Sequence, residues 1–225
     1  MRPVLLVSTE KSEERVVMKS IEVADNVLKV IVNGSNNVYL VMGERAAFFD
    51  SGFGDDTHQD VIGLWDEAGK PEIAAIIVSH WHGDHAGGAK LLSEATGAPV
   101  YAGPREKAAI EFKYDGLTVD YSPIDGESID LGGATIRFVH TPGHTNGSIS
   151  ALYMEQRILF TGDTTRTADP FHLNPTFGSM DEQRQTIGKL RALDLSMIGC
   201  GHGPEVDDPQ KYLAELVEDI KDKEW

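Results

Sequence analysis

Four potential metal ligands fall within six positions of this chain, His80-Trp81-His82-Gly83-Asp84-His85, a short step behind the apolar run Ile73–Val78. That run has the length and β-branched content of a buried strand, so the expected order is strand, ligand loop, helix. Side chains two apart on an extended segment point the same way, which lets His80 and His82 converge on one ion. At Gly83 the backbone is expected to turn, and Asp84 and His85 are then free to face elsewhere. Imidazole and carboxylate together suit Zn, Fe, Mn or Co, and two divergent ligand pairs in one loop suggest two ions side by side. A fold that carries this loop has to bring further ligands from other strands.

Three candidates meet that requirement. His144, Asp163 and His202 each follow an apolar strand and sit among Gly, Pro or Thr. Rigid strands that deliver ligands into small-residue loops are how a site is built at the end of a sheet. Taken singly, a lone His reads as a surface or hydrogen-bonded residue and an Asp after Gly as a turn. Five of the eight histidines fall at strand-end loops, and together they read as a metal site.

Hydrophobic patterning supplies the surrounding elements. Strands are expected at 15–18, 28–32, 38–41 and 46–49, then a helix over 58–68. After the ligand loop come a helix over 89–96 stopped by Gly97 and Pro99, a short strand at 100–102, and a helix over 105–113 introduced by Pro104. Strands follow at 117–121, 128–131, 134–140, 148–153 and 157–160. A pattern-poor loop at 165–179, a helix over 181–193, a strand at 196–199 and an amphipathic helix over 212–220 complete the order. Strands followed by helix recur weakly in each half, which suits two similar halves packed face to face.

Length and composition suggest one domain over 1–225, with 40% hydrophobic residues as material for a core. Asp and Glu outnumber Lys and Arg 36 to 20, so no nucleic-acid partner is expected. No apolar run approaches the roughly 20 residues that span a bilayer, so no membrane association is expected either. The short apolar run Pro3 to Val7 falls below a signal peptide's apolar region, and the single Cys200 fits a reducing compartment. The expectation is a cytoplasmic protein with a small-molecule substrate, and a homodimer is compatible with it. Cys200 itself, on a strand, reads as a buried inert thiol.

The run His80-Trp81-His82-Gly83-Asp84-His85, with Asp50, His144, Asp163 and His202 in order behind their strands, resembles the metallo-β-lactamase fold superfamily. The resemblance covers 37–204 and implies an α/β fold, a four-layer αββα sandwich with a dinuclear site at one edge. It implies His80, His82 and His144 on a first ion, Asp84, His85 and His202 on a second, and Asp163 bridging them. Asp50 would stand behind the ligands and order their loop. The ions would be two divalent metals, Zn first, with Fe or Mn as alternatives. A water between them would lose its proton near neutral pH and attack a carbonyl carbon, while Asp84 orients it or carries a proton.

Thr141-Pro142-Gly143-His144-Thr145 together with Leu159-Phe160-Thr161-Gly162-Asp163-Thr164 is similar to the glyoxalase II (hydroxyacylglutathione hydrolase) branch, which implies an ester, thioester or lactone substrate. The chain departs from that branch at 165–169, and lacks an obvious basic cluster after His202. Two other activities stay open. A lactonase would use the same centre with a more apolar pocket, for which Trp81, Phe171 and Phe177 are candidates. A persulfide dioxygenase would hold one Fe through His80, His144 and Asp163. Arg166 and His172, in the loop after Asp163, are candidates to hold an anionic group of the substrate, with a solvated loop as the alternative. Trp81, between two ligands, either touches substrate or packs under the loop.

Overall fold

The computed structural model describes residues 20–54, 56–167 and 177–223. The strand expected at 15–18, and Phe171 and His172 with the middle of their loop, lie outside the described residues.

The first sheet takes its strands in chain order: β1 (Ile21–Ala24), β2 (Val27–Val32), β3 (Asn36–Met42), β4 (Ala46–Phe49), β5 (Ile73–Val78) and β6 (Val100–Ala102). β1 to β4 form an antiparallel meander, whereas β4, β5 and β6 run parallel. Parallel neighbours need crossovers. These are α1 (His58–Glu67) between β4 and β5, then α2 (Gly83–Ala86) and α3 (Ala89–Thr96) between β5 and β6, with α4 (Lys107–Lys113) following. The second sheet holds β7 (Ser128–Asp130), β8 (Thr135–His140), β9 (Ile149–Tyr153), β10 (Ile158–Gly162) and β11 (Met197–Cys200) in the spatial order β11-β10-β9-β8-β7. α5 (Met180–Arg191) carries the parallel step from β10 to β11, and α6 (Pro209–Ile220) ends the described chain.

Strand alternation sorts these side chains into three apolar layers. Val38, Leu40, Phe48, Ile76 and Val78 face Val61, Leu64, Leu92 and Ile110 of the first helical layer. Their strand neighbours Tyr39, Val41, Phe49 and Ile77 face inward and meet Ile136, Phe138, Ala151 and Phe160 of the second sheet. Val139, Leu152, Leu159 and Ile198 point outward onto Ile187, Leu190, Leu213 and Leu216 of α5 and α6. The layer order is therefore αββα. Sheets apolar on both faces have to be covered on both, which is why the strands read as nearly unbroken apolar runs.

The two sheets are tied at one edge. The Ile149 N–H donates to the Ser79 carbonyl at 2.9 Å, and the Asn37 N–H to the Gly201 carbonyl at 2.8 Å. β4, β5, β8, β10 and β11 all end near this edge, and the expected ligands follow those ends.

Three expectations are corrected. Residues 117–121 form no strand: the Asp120 carboxylate takes the Val100 N–H at 2.8 Å, and pairing shrinks to a single bridge between Tyr101 and Tyr121. Leu117 and Val119 are buried there all the same. The helix after Pro104 starts at Lys107, because Gly103 to Glu106 forms a turn closed by the Glu106 N–H on the Gly103 carbonyl. β1, not anticipated, is a short half-exposed edge strand whose weak alternation gave little signal. Among the described residues no helix is long and apolar enough to cross a membrane.

Candidate metal centre

The ligand loop folds as its glycine suggests. His82 is extended, with ψ 155°, and Gly83 opens the one-turn helix α2, which swings Asp84 and His85 away from His80 and His82. Two groups of donor atoms result: His80, His82, His144 and Asp163 in one, Asp84, His85 and His202 in the other. In the first, His82 Nδ1 lies 2.9 Å from His80 Nε2 and 3.1 Å from His144 Nε2. Asp163 faces both groups. Its Oδ2 is 3.6 Å from His144 Nε2, and its Oδ1 is 3.4 Å from both His85 Nε2 and His202 Nε2. Asp84 Oδ2 closes the second group, 3.1 Å from His202 Nε2 and 3.5 Å from His85 Nε2.

Hydrogen bonds behind the rings decide which nitrogen faces inward. Asp50 is wholly buried and accepts from the Ser79 N–H at 2.8 Å, the Ser79 hydroxyl at 3.0 Å and His85 Nδ1 at 2.7 Å. The same Ser79 hydroxyl lies 2.9 Å from His80 Nδ1, and with its proton given to Asp50 it accepts from that ring. His202 Nδ1 lies 2.9 Å from the Ser35 carbonyl, which can only accept. All three rings therefore hold their proton outside and turn an Nε2 lone pair into the centre.

Ring nitrogens facing carboxylate oxygens need positive charge between them, which a ring proton or a bound cation supplies. His85 Nε2, His202 Nε2 and Asp163 Oδ1 are buried with no hydrogen-bond partner among the described residues. The four separations among Asp84, His85, His202 and Asp163 Oδ1, 3.1 to 3.5 Å, match the edge of a tetrahedron with Zn–N and Zn–O bond lengths, roughly 3.3–3.4 Å. These residues fit a divalent ion.

The electrostatics favour a neutral ring at His80 and His82 and a charged ring at His85. Burial pushes the His82 imidazole down, with His144 and His85 adding to it, to about 4, and His80 falls well below its ordinary value for the same reasons. Neutral rings are the ligand form. Burial also acts to lower His85, but Asp163 and Asp50 outweigh it and hold that ring well above its ordinary value. Burial acts to raise Asp163, yet the imidazoles of His85, His144 and His202 keep its carboxyl low and ionised. Asp84 is likewise held down by His202 and His85 against burial.

Close packing shapes the floor. A Cβ on Gly201 would stand 2.7 Å from Asp163 Oδ1 and 2.8 Å from His85 Cε1, and one on Gly162 would collide with Ser79 Oγ.

Of the remaining expected residues, Arg166 reaches the centre, its Nη1 3.4 Å from Asp163 Oδ2 and its Nε buried without a hydrogen-bond partner among the described residues. Its backbone is tied to the Tyr212 hydroxyl of α6 at 3.2 and 2.9 Å. The Trp81 ring packs on His82 at 4.6 Å and Phe177 at 5.1 Å, with Lys113 Nζ over it at 4.4 Å. Cys200 is buried against Thr165, and burial pushes its thiol up to about 11, so it is an inert core residue. Sequence reading missed Ser79, Ser35, Glu106 and Tyr212. A hydroxyl directly before His80 was a usable signal for Ser79; Ser35 acts through its backbone and leaves none.

The family model described as "Metallo-beta-lactamase superfamily" matches residues 31–202. The chain belongs to the metallo-beta-lactamase superfamily. Among its relatives, an atrochrysone carboxyl ACP thioesterase of Aspergillus fumigatus is 27% identical over 187 residues, covering 83% of this chain and 56% of that protein. A hydroxyacylglutathione hydrolase of Rhodospirillum rubrum is 32% identical over 149 residues, covering 65% and 54%. The chain thus spans about half the length of these curated relatives. A solved metallo-beta-lactamase from Pontibacter korlensis shares the fold with a TM-score of 0.77 at 19% identity, covering 92% of this chain and 100% of that one. In this superfamily member, the His and Asp groups at the sheet edge support use of a divalent metal.

Proposed function

We propose that this chain is a hydrolase that holds two divalent cations, zinc by its nitrogen and oxygen donors, and cleaves a small thioester. The observation that carries the reading is Asp163, whose two oxygens face two separate histidine sets. A carboxylate so placed is suited to bridge adjacent ions. His80, His82 and His144 would hold one and Asp84, His85 and His202 the other. Two bound dications would lower the pKa of a water from roughly 15.7 toward 7 and polarise a carbonyl oxygen.

The chain's own residues do the rest. Asp84 is the most open of the carboxylates at the centre, 25% exposed against 5% for Asp163, which suits it to orient the attacking water and take its proton. Arg166 presents a guanidinium beside Asp163, with no acceptor for its Nε among the described residues, and would receive an anionic group of the substrate. Trp81 and Phe177 form an apolar wall next to His82. Preference for a thioester rests on the names of the two relatives, a thioesterase and an acylglutathione hydrolase.

The test is elemental analysis of protein purified without added metal, with hydrolysis assays on a thioester and lactone panel. About two Zn per chain with thioester turnover would support the reading. Lactone turnover alone would move the substrate class. One Fe per chain, oxygen uptake on a persulfide and no hydrolysis would overturn it in favour of a dioxygenase. For Arg166→Ala, the expected result is a raised KM for anionic substrates with kcat retained; an unchanged KM removes that contact.

A further inference from the structure

Glu106 is fully buried just before α4, and its carboxylate accepts three hydrogen bonds. Oε2 takes the Trp81 N–H at 2.9 Å; Oε1 takes the Thr145 hydroxyl at 2.7 Å and the Gly147 N–H at 3.0 Å. Trp81 lies between His80 and His82, and Thr145 directly follows His144. One oxygen therefore grips the ligand loop of the first sheet, and the other grips the His144 loop of the second.

The approach is built for this contact. A Cβ on Gly147 would stand 2.7 Å from both Glu106 N and Oε1, and a Cβ on Gly103 would collide with the Gly147 carbonyl. Among the described residues Glu106 is not half of an ion pair: the neighbouring Arg105 turns its guanidinium to Glu182 at 2.9 Å and to the Asn146 carbonyl at 3.2 Å. A buried carboxylate without a cation is retained at a cost unless its hydrogen bonds serve a purpose. Here they span the two loops and supplement the backbone bond from Ile149 to Ser79.

We propose that Glu106 is a positioning residue of the metal centre. It fixes the separation of the His80–His82 loop from His144, and so sets ion affinity at the group formed by His80, His82, His144 and Asp163, leaving the Asp84, His85, His202 group nearly untouched. The inference rests on the divalent-metal reading above.

Two substitutions separate reach from charge. Glu106→Gln keeps the length but has one acceptor oxygen and turns an NH2 toward a donor. Glu106→Asp keeps the charge but is one methylene short of spanning both loops. In zinc titrations against a chromophoric chelator, each should weaken one binding step by about tenfold or more and leave the other within about twofold. Hydrogen exchange on the metal-free proteins reads the grip without any ion: segments 79–82 and 143–148 should exchange faster together. Unchanged binding in folded Glu106→Gln, equal weakening of both steps, or wild-type affinity in Glu106→Asp would each overturn the assignment. Should both variants fail to fold, Thr145→Val removes one of the three bonds to Glu106, together with the 2.6 Å pair between the Thr145 and Ser148 hydroxyls within the same loop, and is expected to weaken the same step to a smaller extent; no change there overturns it too. If the wild type binds no divalent ion, the hydrolase reading falls, and unaltered exchange in the variants then overturns the grip on its own.

Discussion

His85 Nδ1 donates to Asp50 Oδ2 at 2.7 Å, with both side chains wholly buried. Through Ser79 the same carboxylate also holds His80 Nδ1. One residue that touches neither group's inner face thus fixes ring orientation in both. In Asp50→Asn an NH2 would confront a ring N–H or the Ser79 donors. The backbone should survive, because Asp50 has φ 64° and Asn tolerates that conformation. Expected is a folded protein whose ion affinity drops roughly 10–100-fold. Zinc competition with circular dichroism as the folding check decides it, and wild-type affinity would refute it.

Between the sheets, Phe160 is fully buried with its ring centroid 4.8 Å from Tyr39 and 5.8 Å from Phe49. It fills the inner layer directly beneath the Gly162–Asp163 turn. Phe160→Ala leaves a cavity that rigid strands on both sides cannot close, and should lower stability by about 3–5 kcal/mol. Urea denaturation of the metal-free protein measures this without the contribution of bound ions; a loss below roughly 1 kcal/mol would mean the inner layer collapses around the gap.

The strands and the ligand-bearing sheet edge were legible because their signals are local, whereas the layer order came only with the family resemblance. An apolar run ending in Ser79-His80 or in Gly162-Asp163 announces both a buried strand and a ligand at its end, and the seven expected donors do come together. What stayed hidden depends on partners far along the chain. Asp120 undoes the strand expected at 117–121 by taking the Val100 N–H, a choice made only once the two segments meet. Ser35 orients His202 through a carbonyl 167 residues away, and Glu106 reads as an ordinary helix-start acid until Trp81 and Thr145 fold onto it.

Cys200 offers a check on the apolar layer under α5 and α6. It is inaccessible in the layer between the second sheet and α5 and α6, and burial pushes its thiol up to about 11. Reactivity needs exposed thiolate. A thiol reagent at about pH 8, where an ordinary cysteine with a pKa near 8.5 reacts readily, should leave the native protein unlabelled and modify one thiol per chain after denaturation. Rapid native labelling would show that β11 opens on the timescale of the reaction.

Gly201 and Gly188 make a paired prediction from the same substitution. Gly201 follows β11 with its N–H on the Gly162 carbonyl and its own carbonyl on Asn37, both at 2.8 Å, so its backbone has little room to shift. An added Cβ would press on Asp163 Oδ1 at 2.7 Å and His85 Cε1 at 2.8 Å, and Asp163 faces both donor groups. Gly201→Ala should therefore weaken binding of both ions, on the order of tenfold or more, because the ligand itself is displaced. Overpacking should also cost the metal-free protein about 1–3 kcal/mol. Gly188 lies on an exposed turn of α5 with nothing within 4 Å of an added Cβ. There the same change removes chain entropy from the unfolded state and should stabilise by about 0.4–1 kcal/mol with ion binding unaltered. Thermal melts with and without chelator separate the two effects. If Gly201→Ala binds zinc as tightly as Gly188→Ala, Asp163 has room to move, and the tight floor beneath it does not govern affinity.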